Sequence, residues 1–433
     1  MTSQNSGPGG GVRPGTTWLL LFAVLLPAIF AFGILYRQAL IVPYQDDYAV
    51  ILAFAADYDQ LPSVGSKLVD IATTQTIEYK IIFEHFIVAS EMELTHHINF
   101  ALLTGLGDLF LLPIGYLLWR TYRDQDADLN QRLLAFLPIS LLFFSLTYWE
   151  TLNWSTADLQ NVPVIFFSLL AIYLLFPMSN ARFVLACMVA AVAACTSPNG
   201  FLLGPVGLLI LLPRRAYAKS LLWCASFVGP LAAYLYHYTP LVRASHKTLY
   251  ITRPIFFLSF FGAGAVPYRW PAALLGVAAL AIFGLAVRSR FDRTNPVGFF
   301  FTVWVLATGL MVSSVRGATG VWVVSRYSVY SLLLLIFCYS FLAQYLPARR
   351  GFYVTATIFS LGICLLAQIH AYTKLGARRR MVLTGIALYR ADPQANSPMI
   401  DPNLLQGFPE EKAYEQSALT NAIQKHVYSL PAQ

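Results

Sequence analysis

Apolar runs long enough to cross a bilayer recur along the whole chain, each closed by a short polar stretch. A helix needs ~20 apolar residues to cross ~30 Å of hydrocarbon. On that measure spans are expected at about 18–42, 97–119, 132–148, 161–178, 182–197, 201–213, 220–239, 271–288, 297–315, 327–346 and 352–371. The pattern predicts an all-α fold, a polytopic transmembrane helical bundle of about eleven spans. The fifth and sixth runs are short and are divided by Pro198, Asn199 and Gly200. An odd count places the two termini on opposite sides.

The basic residues give the orientation. With the amino terminus inside, the inner loops hold Arg120, Arg123 and Arg132, then Arg182, then Arg214, Arg215 and Lys219, then Arg288, Arg290 and Arg293, then Arg349 and Arg350. Short cytoplasmic loops rich in Lys and Arg are the expected arrangement. Lys374, Arg378, Arg379 and Arg380 break it, because the count puts them outside. Either a span is misplaced or these charges meet anionic headgroups.

Three regions follow. Residues 1–17, rich in Gly, Ser and Pro, are expected to form a disordered cytoplasmic tail. Residues 18–371 form the transmembrane domain, and 372–433 a short polar tail broken by prolines, with a helix at about 410–427. The first apolar run is too long for the core of a cleavable signal, so none is expected.

Composition agrees with the pattern: 57% of the 433 residues are hydrophobic and 12% charged, against about a quarter charged in soluble domains. The net charge of +8 raises the question of nucleic acid, but the bases are scattered over loops and form no basic, aromatic-interleaved stripe. The five cysteines lie in apolar runs without metal or redox spacing, so neither disulfides nor a structural zinc are expected.

The loops assigned to the outside carry the candidate chemistry. Residues 43–95, the long first loop, hold nine acids against Lys67 and Lys80. Val64, Leu68 and Ile71 recur at helical spacing within it, as in a helix lying in the interface plane. Asp46 and Asp47 stand just where the first span ends. Adjacent side chains point in different directions, so the two should divide the work: one to orient or deprotonate a hydroxyl, the other to cap a helix from about Tyr48 to Asp57. Solvation and capping alone is the simpler alternative.

Later in that loop, Glu84-His85 and Glu91 to His97 mix carboxylates with imidazoles, which permits a divalent metal without meeting any fixed-spacing motif. A polar helix at headgroup level is the simpler reading of them. Glu150, between Trp149 and Trp154, is a further pocket candidate, since aromatic faces suit a sugar ring; interfacial anchoring accounts for the tryptophans by themselves. Arg243, His246, Lys247, Arg253 and Arg326 are bases on the side where topology disfavours them. Guanidinium groups bind phosphate in bidentate fashion, so an anionic lipid is the expected ligand. Asp108 is an acid inside a span, expected either on a proton or ion path or satisfied by Asn99, Thr104 or a neighbouring helix.

A short inner tail, one span and a long outer loop opening on an Asp pair resemble the GT-C superfamily of integral-membrane glycosyltransferases. Pro43-Tyr44-Gln45-Asp46-Asp47-Tyr48, Glu84-His85, Tyr148-Trp149-Glu150, Ser197-Pro198-Asn199-Gly200 and Ser325-Arg326-Tyr327 carry the likeness, over about residues 18–371, to an uncharacterised bacterial branch. The resemblance implies a polyprenyl-phosphate sugar donor and a lipid or glycan acceptor, with membrane lipids as the other partners and no nucleic acid. It implies no certain cofactor beyond a possible divalent metal, and a place in the bacterial inner membrane with the active face periplasmic. Asp46 or Asp47 would be catalytic, and Arg326, with some of Arg243, Lys247 and Arg253, would hold the donor phosphate. A transporter or flippase of a lipid-linked glycan, with Asp108 in its coupling path, and a non-catalytic membrane scaffold are the alternatives.

Overall fold

The structure is a computed structural model that describes residues 14–76, 80–122, 128–240, 252–316, 323, 325–346, 350–393 and 409–431. It is built from helices α1 (Pro14–Gln38), α2 (Tyr48–Tyr58), α3 (Val64–Thr73), α4 (Ile82–Thr95), α5 (Phe100–Asp108), α6 (Leu111–Thr121), α7 (Leu129–Phe143), α8 (Ser155–Leu174) and α9 (Asn180–Thr196). There follow α10 (Leu203–Leu211), α11 (Tyr217–Ala225), α12 (Val228–Leu235), α13 (Thr252–Phe260), α14 (Arg269–Arg288), α15 (Phe291–Thr294), α16 (Pro296–Arg316), α17 (Ser328–Tyr345), α18 (Arg350–Ala391) and α19 (Pro409–Gln424). Among the described residues eight helical stretches are long and apolar enough to cross a membrane, and α7 and α9 are shorter apolar helices. The chain is therefore a multi-pass helical membrane protein. The spans expected at 132–148, 182–197 and 201–213 correspond to α7, α9 and α10, all shorter than a full crossing.

Two helices form the axis of the bundle. α8 and α17 are buried on nearly every face, as expected of helices apolar all round. α8 packs on α9, α5, α6 and α16, and α17 on α7, α14 and α16. α1 lies outside them against α7 and α18, its remaining surface apolar and exposed at Phe22, Leu25, Ile29 and Phe30, a lipid-facing composition. The Pro198 to Gly200 break is a packing device. A Cβ on Gly200 would collide with the Ala193 carbonyl, and Asn199 joins α16 to α17 by donating to the Tyr330 hydroxyl at 2.9 Å while its carbonyl accepts from Trp304 Nε1 at 3.0 Å.

The carboxyl-terminal region departs from expectation. The last apolar span, α18, does not stop near residue 371 but continues through Lys374 and the three arginines to Ala391. Its buried side, Ala371, Leu375, Arg378, Val382, Ile386 and Tyr389, repeats every three or four residues. Beyond it, α19 packs on α2 and contributes Ala418, Leu419 and Ala422 to a second small core shared with α4 and α5. Residues 372–433 thus include two helices at the end of the bundle that the first loop occupies, and are no simple tail. Within that loop α2 begins with a π-turn, Tyr48–Ala53, a form often found at functional sites.

Candidate functional site

The site forms where the end of α1, the start of α8 and the continuation of α18 meet. Its first part is a tight turn. Gln45 adopts a left-handed conformation, φ 48°, uncommon for a residue with a side chain. It is held by a reciprocal pair: the Asp47 N–H donates to the Tyr44 carbonyl at 3.1 Å, and the Tyr44 N–H donates to Asp47 Oδ2 at 3.0 Å.

The other oxygen of Asp47 reaches across the fold. Asp47 Oδ1 accepts the N–H of Thr156, in the first turn of α8, at 2.9 Å. Asp47 stands at the N-cap position of the helix that follows, yet its side chain makes no cap bond to α2. It satisfies one of the orphan N–H groups of a helix more than a hundred residues away. Asp47 is only 1% exposed, and burial pushes its carboxyl up to about 7, against the lowering effect of the two backbone donors. Asp46 beside it is half-buried. The two acids therefore differ in kind, Asp47 locked and Asp46 accessible.

Behind Asp47, Glu84 is fully buried in α4. Burial, reinforced by Asp47 and Asp46, holds its carboxyl well above the usual range. The Thr156 hydroxyl faces both carboxyls without closing a hydrogen bond of ordinary geometry to either. His85 is stacked on Phe54, ring centres 4.2 Å apart, and burial pushes its imidazole down to about 4; it is a neutral core residue. Glu91 turns the other way and accepts the Asn99 N–H at 3.0 Å, at the start of α5. Among the described residues no three His, Cys, Asp or Glu side chains gather as a metal-ligand set.

Two guanidinium groups flank an aromatic pair above the aspartates. Trp154 and Tyr44 stand edge to face with centres 5.8 Å apart. Arg326, in the 3-10 turn that opens α17, lies 5.5 Å from the Trp154 ring, and Arg378 lies 4.3 Å from Tyr44 and 4.7 Å from Trp149. Cations over aromatic faces at these distances are attracted to the ring quadrupole. Thr151 Oγ1 donates to the Arg326 carbonyl at 3.1 Å, tying the turn after Glu150 to the start of α17. Arg378 donates to the carbonyls of Glu150 and Asn153, both at 3.4 Å, with the Glu150 carboxylate 3.9 Å away.

Of the sequence candidates, Asp46, Asp47, Glu84, Glu150 and Arg326 thus come together. Arg253 stands exposed at the start of α13, and Arg243, His246 and Lys247 lie outside the described residues. Arg378 is no site candidate in the sequence, where it belongs to a group that points either to a misplaced span or to headgroup contact; it is buried in the site. The signal was present in its register with Ala371, Leu375, Val382 and Ile386.

Asp108 is not satisfied by Thr104 or Asn99. Thr104 Oγ1 bonds the Ser155 hydroxyl at 2.9 Å, and the Asn99 side chain caps α5 at the Leu102 N–H. Its neighbour is a second acid, Asp158 of α8, whose carboxyl lies against the backbone of Gly107 and Asp108.

No family model, curated protein or solved structure matches the chain.

Proposed function

We propose that the protein is a membrane glycosyltransferase of GT-C type, moving a sugar from a polyprenyl-phosphate donor to a hydroxyl of a lipid or glycan acceptor. The observation that carries this reading is the meeting of Arg326 and Arg378 on the rings of Tyr44, Trp149 and Trp154 at one end of the bundle, beside the turn that holds the half-buried Asp46. In this reading the guanidinium groups hold the donor phosphate and the aromatic faces receive the sugar. The acceptor oxygen attacks the anomeric carbon as the bond from that carbon to the phosphate oxygen breaks. The proton passes to Asp46, and the electron pair leaves with the lipid phosphate, whose charge the two arginines stabilise. One displacement inverts the anomeric centre. Asp47 is a positioning residue, fixing the turn that aims Asp46. The site would lie on the periplasmic face of a bacterial inner membrane with the amino terminus cytoplasmic, as the distribution of Lys and Arg favours.

The test is release of free polyprenyl phosphate from a panel of polyprenyl-phosphate sugars by purified protein in lipid, with acceptor lipids and divalent metal supplied. Release abolished by Asp46→Asn supports the reading; no release with any donor sinks it. The buried pair Asp108 and Asp158, on two membrane-crossing helices, favours a second reading as a transporter of a lipid-linked glycan. A scaffold would instead tolerate substitution at every site position. Flux in proteoliposomes lost on Asp108→Asn, with Asp46→Asn harmless, would select the transporter.

A further inference from the structure

Beside the site, on the lipid-facing side of the fold, a groove of about 430 Å³ opens between the end of α1 and the continuation of α18. Its walls carry Arg37, Arg379 and Arg380, with Gln38 and Thr373 as further polar groups. All three arginines are exposed, and among the described residues no carboxylate forms an ion pair with any of them. Gly376 forms the floor: the Arg380 guanidinium and the Gln38 amide lie 3.7 and 3.8 Å from where its Cβ would stand.

The depth of the groove identifies its surroundings. Arg37 closes the last turn of the first span. Arg379 lies roughly 42 Å along α18 from Gly351, at 1.5 Å per residue, past ~30 Å of hydrocarbon and therefore at headgroup level. Toward the membrane centre the two walls are apolar and exposed, with Ile29 and Phe30 on one and Leu366 and Ile369 on the other. Three unpaired guanidinium groups above two greasy helix faces match a phosphate head above acyl chains.

We propose that this groove is a binding site for one anionic membrane phospholipid, its phosphate held by Arg37, Arg379 and Arg380. It is separate from the Arg326 and Arg378 site and does not rest on the transferase reading. Its occupant bridges α1 to α18 next to the contact in which Asn153 Nδ2 donates to the Gln38 carbonyl at 2.9 Å. A bound lipid would thus brace the helix that presents Arg378.

The experiment is native mass spectrometry of the full chain in detergent with phosphatidylglycerol or phosphatidylcholine, on wild type, R37Q/R379Q/R380Q, and a basic control at the opposite end of the bundle, R288Q/R290Q/R293Q. The wild type and the control should retain one phosphatidylglycerol about tenfold more tightly than phosphatidylcholine, and the groove variant should lose that preference while melting as a folded protein. Equal retention of the two lipids by the wild type, a preference surviving in the groove variant, or one lost equally in the control would overturn the proposal. Polyprenyl phosphate serves as the third probe: displacement of phosphatidylglycerol at equimolar amounts would reassign the groove to the donor lipid and overturn the phospholipid assignment.

Discussion

Asp47 Oδ1 accepts the Thr156 N–H at 2.9 Å, and through that bond the turn after the first span is fastened to the helix at the centre of the bundle. Its other oxygen takes the Tyr44 N–H. Removing the carboxyl would leave two backbone donors without partners in a dry place, at about 1–3 kcal/mol for each unsatisfied group. Asp47→Ala should therefore lower stability by about 2–6 kcal/mol, read as a fall in melting temperature in detergent. Asp46→Asn should leave the melting temperature unchanged and abolish sugar transfer. The opposite pattern would exchange the roles given to the two residues.

The raised carboxyl of Asp47 makes stability depend on pH in a definite direction. From its ordinary 3.8 it moves to about 7 in the folded protein, so between those values the folded state binds a proton that the unfolded state has released. Stability then falls as pH rises through that window. The full span of the shift corresponds to about 4 kcal/mol at 1.36 kcal/mol per unit. Glu84, shifted in the same direction, adds to the trend. Melting temperature should decline from pH 5 to pH 8, with a shallower slope in Asp47→Asn. A slope no shallower in Asp47→Asn than in the wild type would show that Asp47 is ionised throughout that range.

The two arginines should separate binding from architecture. Arg326 lies at the start of α17 with its guanidinium toward Trp154, whereas Arg378 holds the Glu150 and Asn153 carbonyls. Arg326→Ala should reduce kcat/KM for donor turnover by roughly 10²–10³-fold, the usual cost of one charge-stabilising group, with the fold intact. Arg378→Ala should cost stability as well as turnover. Arg378→Lys should recover stability more than activity, because an ammonium group keeps the charge but loses the planar fork and ring stacking. Equal recovery of both would assign Arg378 a structural role alone.

How far the sequence disclosed this arrangement follows from the range of each signal. Hydropathy is local, and it located the long apolar helices but not α13, which lies in a stretch that reads as a basic outer loop. It failed at α18 because the apolar run ends near residue 371 while the helix does not; what sustains it beyond is packing of Leu375, Val382 and Ile386, with Val42 against the last two. The Asp pair was visible at the mouth of a span, but its division of labour was not, because Asp47 finds its partner at Thr156, far away in sequence. Lys80 is similar: it reads as a loop charge, yet it is buried and donates to the Ala233 and Tyr236 carbonyls at the end of α12.

Asp158 and Gly107 offer a test of the α5 and α8 contact that needs no substrate. The Asp158 carboxyl occupies the space a Cβ on Gly107 would fill, so Gly107→Ala drives a methyl group into it. Overpacking of this kind costs about 1–3 kcal/mol. Asp158→Ala empties the same space, and in that background the added methyl has room. The double variant should therefore be more stable than the sum of the single changes predicts, with a coupling of about 1–2 kcal/mol in a thermodynamic cycle. Additive costs would mean that the helices already part enough to seat the methyl, and that the acid pair at Asp108 and Asp158 is more loosely enclosed than its burial implies.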